Sequence, residues 1–144
     1  YLGLRGLRTL SVRLERHMKN TLDVISWLQT RPEVGAIHYP ALETDPGHAI
    51  WKRDFSGASG LFAFDFRPGT SDTQRTAFLN ALTLFGLGYS WGGFESLAIP
   101  VKLNGIRTAT EPDPGTCSIR LHIGLEDPAD LIKDLTQAFG KAFG

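Results

Sequence analysis

Apolar residues at Leu7, Leu10, Leu14, Met18, Leu22, Ile25 and Leu28 recur in steps of three and four and lay one stripe along a helix. Gly6 precedes the stripe and Pro32 follows it. The pattern predicts one helix of about 23 residues, roughly 35 Å long, more than a small domain is deep. Such a helix suits a bridge between two domains. Its other face carries Arg13, Glu15, Arg16, Lys19 and Asp23, with Glu15 and Lys19 in the favourable i,i+4 order, and reads as solvated.

Beyond Pro32 the periodicity shortens. VGAIHYP (34–40) reads as a strand, and DPGHAIWKRDF (45–55) as a turn followed by one or two helical turns. SGLFAFDF (59–66) sets Phe62, Phe64 and Phe66 against Leu61 and Ala63, the pattern of a central strand covered on both faces. Ser71 followed by Gln74 forms a capping box and predicts a helix over 71–83, with Phe78 and Leu82 sharing a face. FGLGYSW begins extended, FESLAIP (94–100) reads as a strand ended by Pro100, and EPDPGT (111–116) as a polar loop. CSIRLHIG (117–124) alternates Ile119, Leu121 and Ile123 with Ser118, Arg120 and His122, the clearest strand in the chain. Asp127 as N-cap and Pro128 at the first helical position then open ADLIKDLTQAF, where Leu131, Leu135 and Phe139 form one stripe. Strands separated by helices at first and clustered later indicate an α+β fold: a mostly antiparallel sheet with helices packed on one face.

Composition adds bounds. A chain of 144 residues, 42% hydrophobic, supports one core. Fifteen basic and fifteen acidic residues cancel and are interleaved, which argues against nucleic acid or an anionic membrane surface and for a small-molecule or protein partner. The single cysteine, Cys117, cannot staple a fold, in keeping with a reducing compartment such as the cytoplasm. Nothing about its neighbours would lower its pKa, so it reads as a plain small residue. There is no membrane-length apolar run and no secretory leader, and the first residue is Tyr1 rather than methionine, so a piece of a longer protein is expected. His17, His38, His48 and His122 lie far apart without metal-ligand spacing, and no metal is expected.

Two places carry candidate chemistry. In GLGYSWGGFESL (86–97), Gly86, Gly88 and Gly92 miss the dinucleotide fingerprint by one residue, and pattern alone reads the stretch as a bulged turn with Trp91 in the core. Arg120 stands mid-strand, where a guanidinium faces solvent, pairs with an acid, or offers its planar fork to a carboxylate. His122 shares its face and is either a satisfied surface or interface histidine or a base.

YSWGGFESL and SIRLHIGLED together resemble the C-terminal domain of the cysteine/methionine-metabolism family of pyridoxal-phosphate (PLP) enzymes, fold type I, and within it the bacterial cystathionine β-lyases. LRGLRTLSVRLERH resembles that family's long inter-domain helix and GHAIWKRDFSGASGLFAF the segment after it, which divides the chain into a helix over 1–33 and a substrate-binding domain over 34–144. The γ-synthases and γ-lyases of the family typically carry leucine and serine where this chain has Trp91 and His122. The resemblance implies that Arg120 grips the substrate α-carboxylate, that Trp91 lines the substrate pocket, and that Ser90 stands beside the cofactor and helps position the catalytic groups. Tyr89 is left without a role. Trp91 is then expected at the edge of the domain, partly exposed. The implied activity is β-elimination of cystathionine to homocysteine, pyruvate and ammonia, in a homotetramer acting on a small amino-acid substrate. The family's cofactor lysine and phosphate-binding residues belong to a larger preceding domain, and none of Lys19, Lys52, Lys102, Lys133 or Lys141 stands in the family's serine-x-threonine-lysine setting. By itself the chain is expected neither to bind PLP covalently nor to turn over cystathionine. Other transsulfuration enzymes of the family, or a non-catalytic binding domain, are the alternatives.

Overall fold

The computed structural model describes residues 1–103, 105–106, 109 and 115–144. Residues 111–114 of the expected polar loop lie outside them.

The single long helix is replaced by two, α1 (Leu2–Leu7) and α2 (Leu10–Leu28). The break has a local cause. The Gly6 carbonyl accepts from the Thr9 N–H (3.2 Å), the Thr9 hydroxyl (3.3 Å) and Arg13 Nη2 (3.0 Å), and Thr9 leaves helical geometry at φ −112°, ψ 9°. The buried face of α2 takes in only the last part of the apolar stripe, Ile25 and Leu28. It consists of His17, Asn20, Thr21, Val24, Ile25 and Leu28, while Leu7, Leu10 and Leu14 are exposed. Polar residues win there because a backbone meets them: His17 Nδ1 donates to the Ile123 carbonyl (2.7 Å), and Asn20 Nδ2 to the carbonyls of Gly124 (3.2 Å) and Glu126 (3.0 Å).

Among the described residues five strands follow: β1 (Val34–His38), β2 (Leu61–Phe66), β3 (Gly86–Leu87), β4 (Leu97–Val101) and β5 (Ser118–His122). They form one sheet in the order β1-β2-β5-β4-β3, antiparallel except for the β3–β4 pair. The intervening helices are α3 (His48–Asp54), α4 (Asp72–Ala81) and α5 (Pro128–Phe143). β4 starts at Leu97 rather than Phe94: the Phe94 carbonyl accepts from the Leu125 N–H and the Ser96 N–H donates to the Glu126 carboxylate, while the Ser96 carbonyl accepts from the Gly86 N–H of β3.

The α+β expectation holds, and its helical layer explains where the charge can sit. Phe62, Phe64, Phe66, Ile119 and Leu121 form the core face against α4 and α5. Phe78 of α4 stands 5.4 Å from Phe66 and 4.8 Å from Phe139 of α5, centroid to centroid. The opposite face of β2, with Leu61, Ala63 and Asp65, is only half-covered, so the strand is not buried on both sides as its pattern suggested. Arg120 belongs to that open face, paired in register with Ala63 and Ile99.

The two helix starts read from sequence are present. Asp127 accepts from the Ala129 N–H (2.8 Å) with Pro128 next in line. Ser71 Oγ accepts from the Gln74 N–H (3.2 Å), and Gln74 Oε1 accepts from the Ser71 N–H (3.0 Å). Ser71→Ala should therefore lower stability by about 1 kcal/mol, read as a shift in the urea unfolding midpoint.

Candidate functional site at the glycine-rich loop

Between β3 and β4 the chain makes an irregular loop, residues 88–96, held at both ends so that its middle projects outward. Gly92 sits at φ +84°, in the left-handed region that side chains with a Cβ rarely adopt. At the C-terminal end the Glu126 carboxylate accepts from the Ser96 N–H (2.7 Å) and hydroxyl (2.8 Å). Ser96 Oγ accepts from the Gly124 N–H (2.8 Å), and the Leu125 N–H donates to the Phe94 carbonyl (2.8 Å). Any Cβ on Gly124 would collide with that carbonyl, which accounts for glycine there. Nearer the middle, His122 Nε2 lies 3.1 Å from the Gly92 nitrogen and 3.2 Å from the Gly93 carbonyl, and Arg13 Nη1 reaches the Gly92 carbonyl at 3.5 Å.

What projects is aromatic and polar. Trp91 is 59% exposed and Tyr89 79%, and Ser90 between them is exposed. The core-tryptophan reading drawn from pattern alone is overturned: no core wall reaches the loop, and the indole lies at the domain edge.

Arg120 lies under this loop. Its Nη2 donates to the Tyr89 carbonyl at 2.6 Å, and its guanidinium carbon is 6.0 Å from the Tyr89 ring centroid. Among the described residues it forms no ion pair with a carboxylate, so the structural-pair alternative has no acid to support it. A guanidinium has five N–H donors in a fixed fork, and among the described residues one is engaged. The arrangement can take a carboxylate in two parallel bonds.

His122 is neither a surface residue nor isolated. It is 2% exposed, and its ring centroid lies 5.1 Å from that of His17, a neighbour that sequence spacing concealed. Burial pushes His122 below the ordinary imidazole value; the Gly93 carbonyl pulls the other way, His17 and Arg120 reinforce the drop, and Glu126 opposes it. Sequence reasoning also missed Arg13, Ser96 and Glu126, because Gly92, which Arg13 reaches, is far from it in the chain, as Ser96 and Glu126 are from each other. Among the described residues, no cluster of His, Cys, Asp and Glu could hold a metal ion. A separate groove of about 650 Å³, lined by Leu14, Met18, Tyr39, Trp51 and Phe55 among others, includes none of the loop residues.

Comparison with known proteins points one way. The sequence profile of the Cys/Met metabolism PLP-dependent enzymes matches residues 1–140. The cystathionine beta-lyase of Bordetella avium is 48% identical over 143 residues, covering 99% of this chain and 36% of that protein. A methionine gamma lyase structure from Micromonospora echinospora is 37% identical with a TM-score of 0.77, over 94% of this chain and 34% of that one. The O-acetylhomoserine sulfhydrylase of Wolinella succinogenes superposes at a TM-score of 0.82 with 29% identity, over 96% of this chain and 37% of its own. The chain thus spans about a third of the length of the relatives it matches.

Proposed function

This chain belongs to the Cys/Met metabolism PLP-dependent enzymes, and from that membership we propose that it forms the carboxylate-binding third of a carbon–sulfur lyase that cleaves cystathionine by β-elimination to homocysteine, pyruvate and ammonia. The observation that carries the reading is Arg120, a half-buried guanidinium on the open face of the sheet with one donor bonded to a carbonyl and no acid beside it among the described residues. Its fork binds the substrate α-carboxylate and so fixes the direction of the Cα–H bond, which sets the geometry for proton removal. Trp91, exposed on the loop whose Tyr89 carbonyl Arg120 holds, packs along the apolar part of cystathionine and keeps water from that side. Ser90, exposed one residue before Trp91, helps position the reacting groups.

The family is PLP-dependent, and the cofactor supplies the electron sink for elimination. The described residues do not fit the task of holding it. The side chains hydrogen-bonded to the loop are Arg13, Arg120, His122 and Glu126, with no lysine among them. Lys19 pairs with Asp23 on α2, Lys52 lies on α3, Lys133 and Lys141 lie on α5, and Lys102 follows β4. GLG runs into a loop and not into a helix N-terminus that could face a phosphate. Lysine and phosphate cradle are therefore assigned to the remaining two-thirds of the enzyme. Among the described residues no helix is long and apolar enough to cross a membrane, and we place the enzyme in the cytoplasm as a homo-oligomer, a tetramer in its family's manner. Exposed Leu2, Leu4 and Leu7 of α1 suit cover by the rest of that assembly.

Similarity to a methionine gamma lyase and a sulfhydrylase keeps γ-elimination and γ-replacement as the second reading. The full-length protein, loaded with PLP and given cystathionine, should release pyruvate in large excess over 2-oxobutyrate. Predominant 2-oxobutyrate would replace β- with γ-elimination, and release of neither would leave a binding domain.

A further inference from the structure

The lyase reading employs Arg120, Ser90 and Trp91, and gives no task to the buried histidine pair beneath them. His17 and His122 come from elements more than a hundred residues apart, and both are 2% exposed. His17 Nδ1 lies 2.7 Å from the Ile123 carbonyl, so that nitrogen carries the proton, and His17 Nε2 is left buried with no hydrogen-bond partner among the described residues. That ring is fixed to the backbone immediately after His122 and closes one side of its site. Gly60 closes another: a Cβ there would come within 3.1 Å of His122 Cε1 and Nδ1. With two walls set, the remaining edge of the His122 ring faces the loop, at the Gly92 nitrogen and the Gly93 carbonyl.

We propose that His122 is a positioning residue: backed by His17, its ring grips the Gly92–Gly93 backbone and so fixes the loop that presents Ser90 and Trp91 to substrate. The assignment of Ser90 and Trp91 rests on the lyase reading, whereas the grip on the loop does not. Nε2 makes one of its two loop bonds at a time, and the bond to Gly92 needs a neutral ring. With the proton on Nδ1, Nε2 accepts from the Gly92 N–H; with the proton on Nε2, it donates to the Gly93 carbonyl. A doubly protonated ring keeps its Nε2–H bond to the Gly93 carbonyl, which favours that form, but has no acceptor for the Gly92 N–H, so protonation removes the hold on Gly92. The groups that face the ring bear on this balance. His17 on α2 and Arg120 on its own strand disfavour protonation, and Glu126 beyond the strand favours it. Arg13 of α2 reaches the same loop, and the register partners on β2 and β4, Leu61 and Leu97, are apolar. Burial comes first among these effects, so the bond to Gly92 persists to below the ordinary histidine value of about 6.5 and is lost only at more acidic pH.

Hydrogen exchange by mass spectrometry on the full-length protein reads the grip directly, in a peptide covering residues 88–94. His122→Ala should lower the protection of that peptide about tenfold, the factor that the loss of one ordinary hydrogen bond brings, with little change elsewhere in the sheet. Unchanged protection in a folded His122→Ala protein would overturn the proposal. His122→Gln provides a second measurement should the alanine variant not fold: its amide can accept from Gly92 and donate to Gly93 but does not titrate. Corrected for intrinsic exchange, wild-type protection should stay level down to about pH 6.5 and fall below it, while that of His122→Gln stays level throughout. Parallel pH profiles for the two proteins would also overturn it. If the exchange pattern is as expected but no pyruvate forms from cystathionine, the lyase reading fails and the grip of His122 stands.

Discussion

Arg120→Lys in the full-length protein should weaken kcat/KM for cystathionine roughly 10- to 150-fold, carried chiefly by KM, with no matching loss of stability. The magnitude is that of one charge-assisted hydrogen bond, about 1.5–3 kcal/mol, since an ammonium keeps the charge but cannot present two parallel N–H bonds to a carboxylate. The lack of a stability effect follows from what Arg120 touches. Its contacts among the described residues are the Tyr89 carbonyl and the Tyr89 ring, both on an exposed loop residue. A guanidinium serving the fold would be expected to hold an acid or several buried carbonyls, as Arg75 does with Asp72 and the Val101 carbonyl. Kinetics of Arg120→Lys and its melting temperature, measured together, separate these roles. A change below about 0.5 kcal/mol in apparent substrate binding would remove the carboxylate clamp. A large drop in melting temperature with unchanged KM would make Arg120 structural.

The parts of the fold legible in the sequence are those whose cause lies within a few residues. The Ser71–Gln74 capping box, the Asp127–Pro128 helix start and the alternation of Ile119, Leu121 and Ile123 each reflect a local rule, and each element appears where the rule places it. The long N-terminal helix failed because its evenly spaced leucines carry no information about what faces them. His17 and Asn20 are buried because carbonyls of residues 123–126 arrive from the far end of the chain, and Leu7, Leu10 and Leu14 are exposed because nothing among the described residues covers them. The same distinction runs through the site. Arg120 drew notice as a charge in mid-strand, and Trp91 through its motif. The pairing of His122 with His17, and of Ser96 with Glu126, had no spacing to reveal it.

Asp134→Asn should cost roughly 2–4 kcal/mol of stability and erase a dependence on acid pH that the wild-type protein shows. Asp134 sits on the buried side of α5, 5% exposed, and its carboxylate turns the chain between α4 and β3. It accepts from the Thr83 hydroxyl (2.7 Å) and from the N–H groups of Thr83 (2.9 Å), Leu84 (2.8 Å) and Phe85 (3.2 Å), and from Gln137 Nε2 (3.0 Å). An amide has one acceptor oxygen, and its NH₂ would face donors. Burial alone would push the Asp134 carboxyl up; the Thr83 hydroxyl and the N–H groups of Leu84, Thr83 and Phe85 outweigh it and hold the group below the ordinary value of 3.8. The sign follows. Above about pH 3.8 both folded and unfolded forms are ionised and the whole contribution is present; as pH falls through the lower folded value, the native carboxylate is protonated and the contribution is lost. Denaturant midpoints of wild type and Asp134→Asn should therefore lie far apart at neutral pH and converge in acid; a constant gap would show that the charge does not hold the turn. The turn matters beyond stability, because Phe85 leads through Gly86–Leu87 into the loop with Tyr89, Ser90 and Trp91. One carboxylate on α5 thus sets where that loop begins, as His122 and Glu126 set where it is held, and Asp134→Asn should raise KM for cystathionine even at temperatures where the protein remains folded.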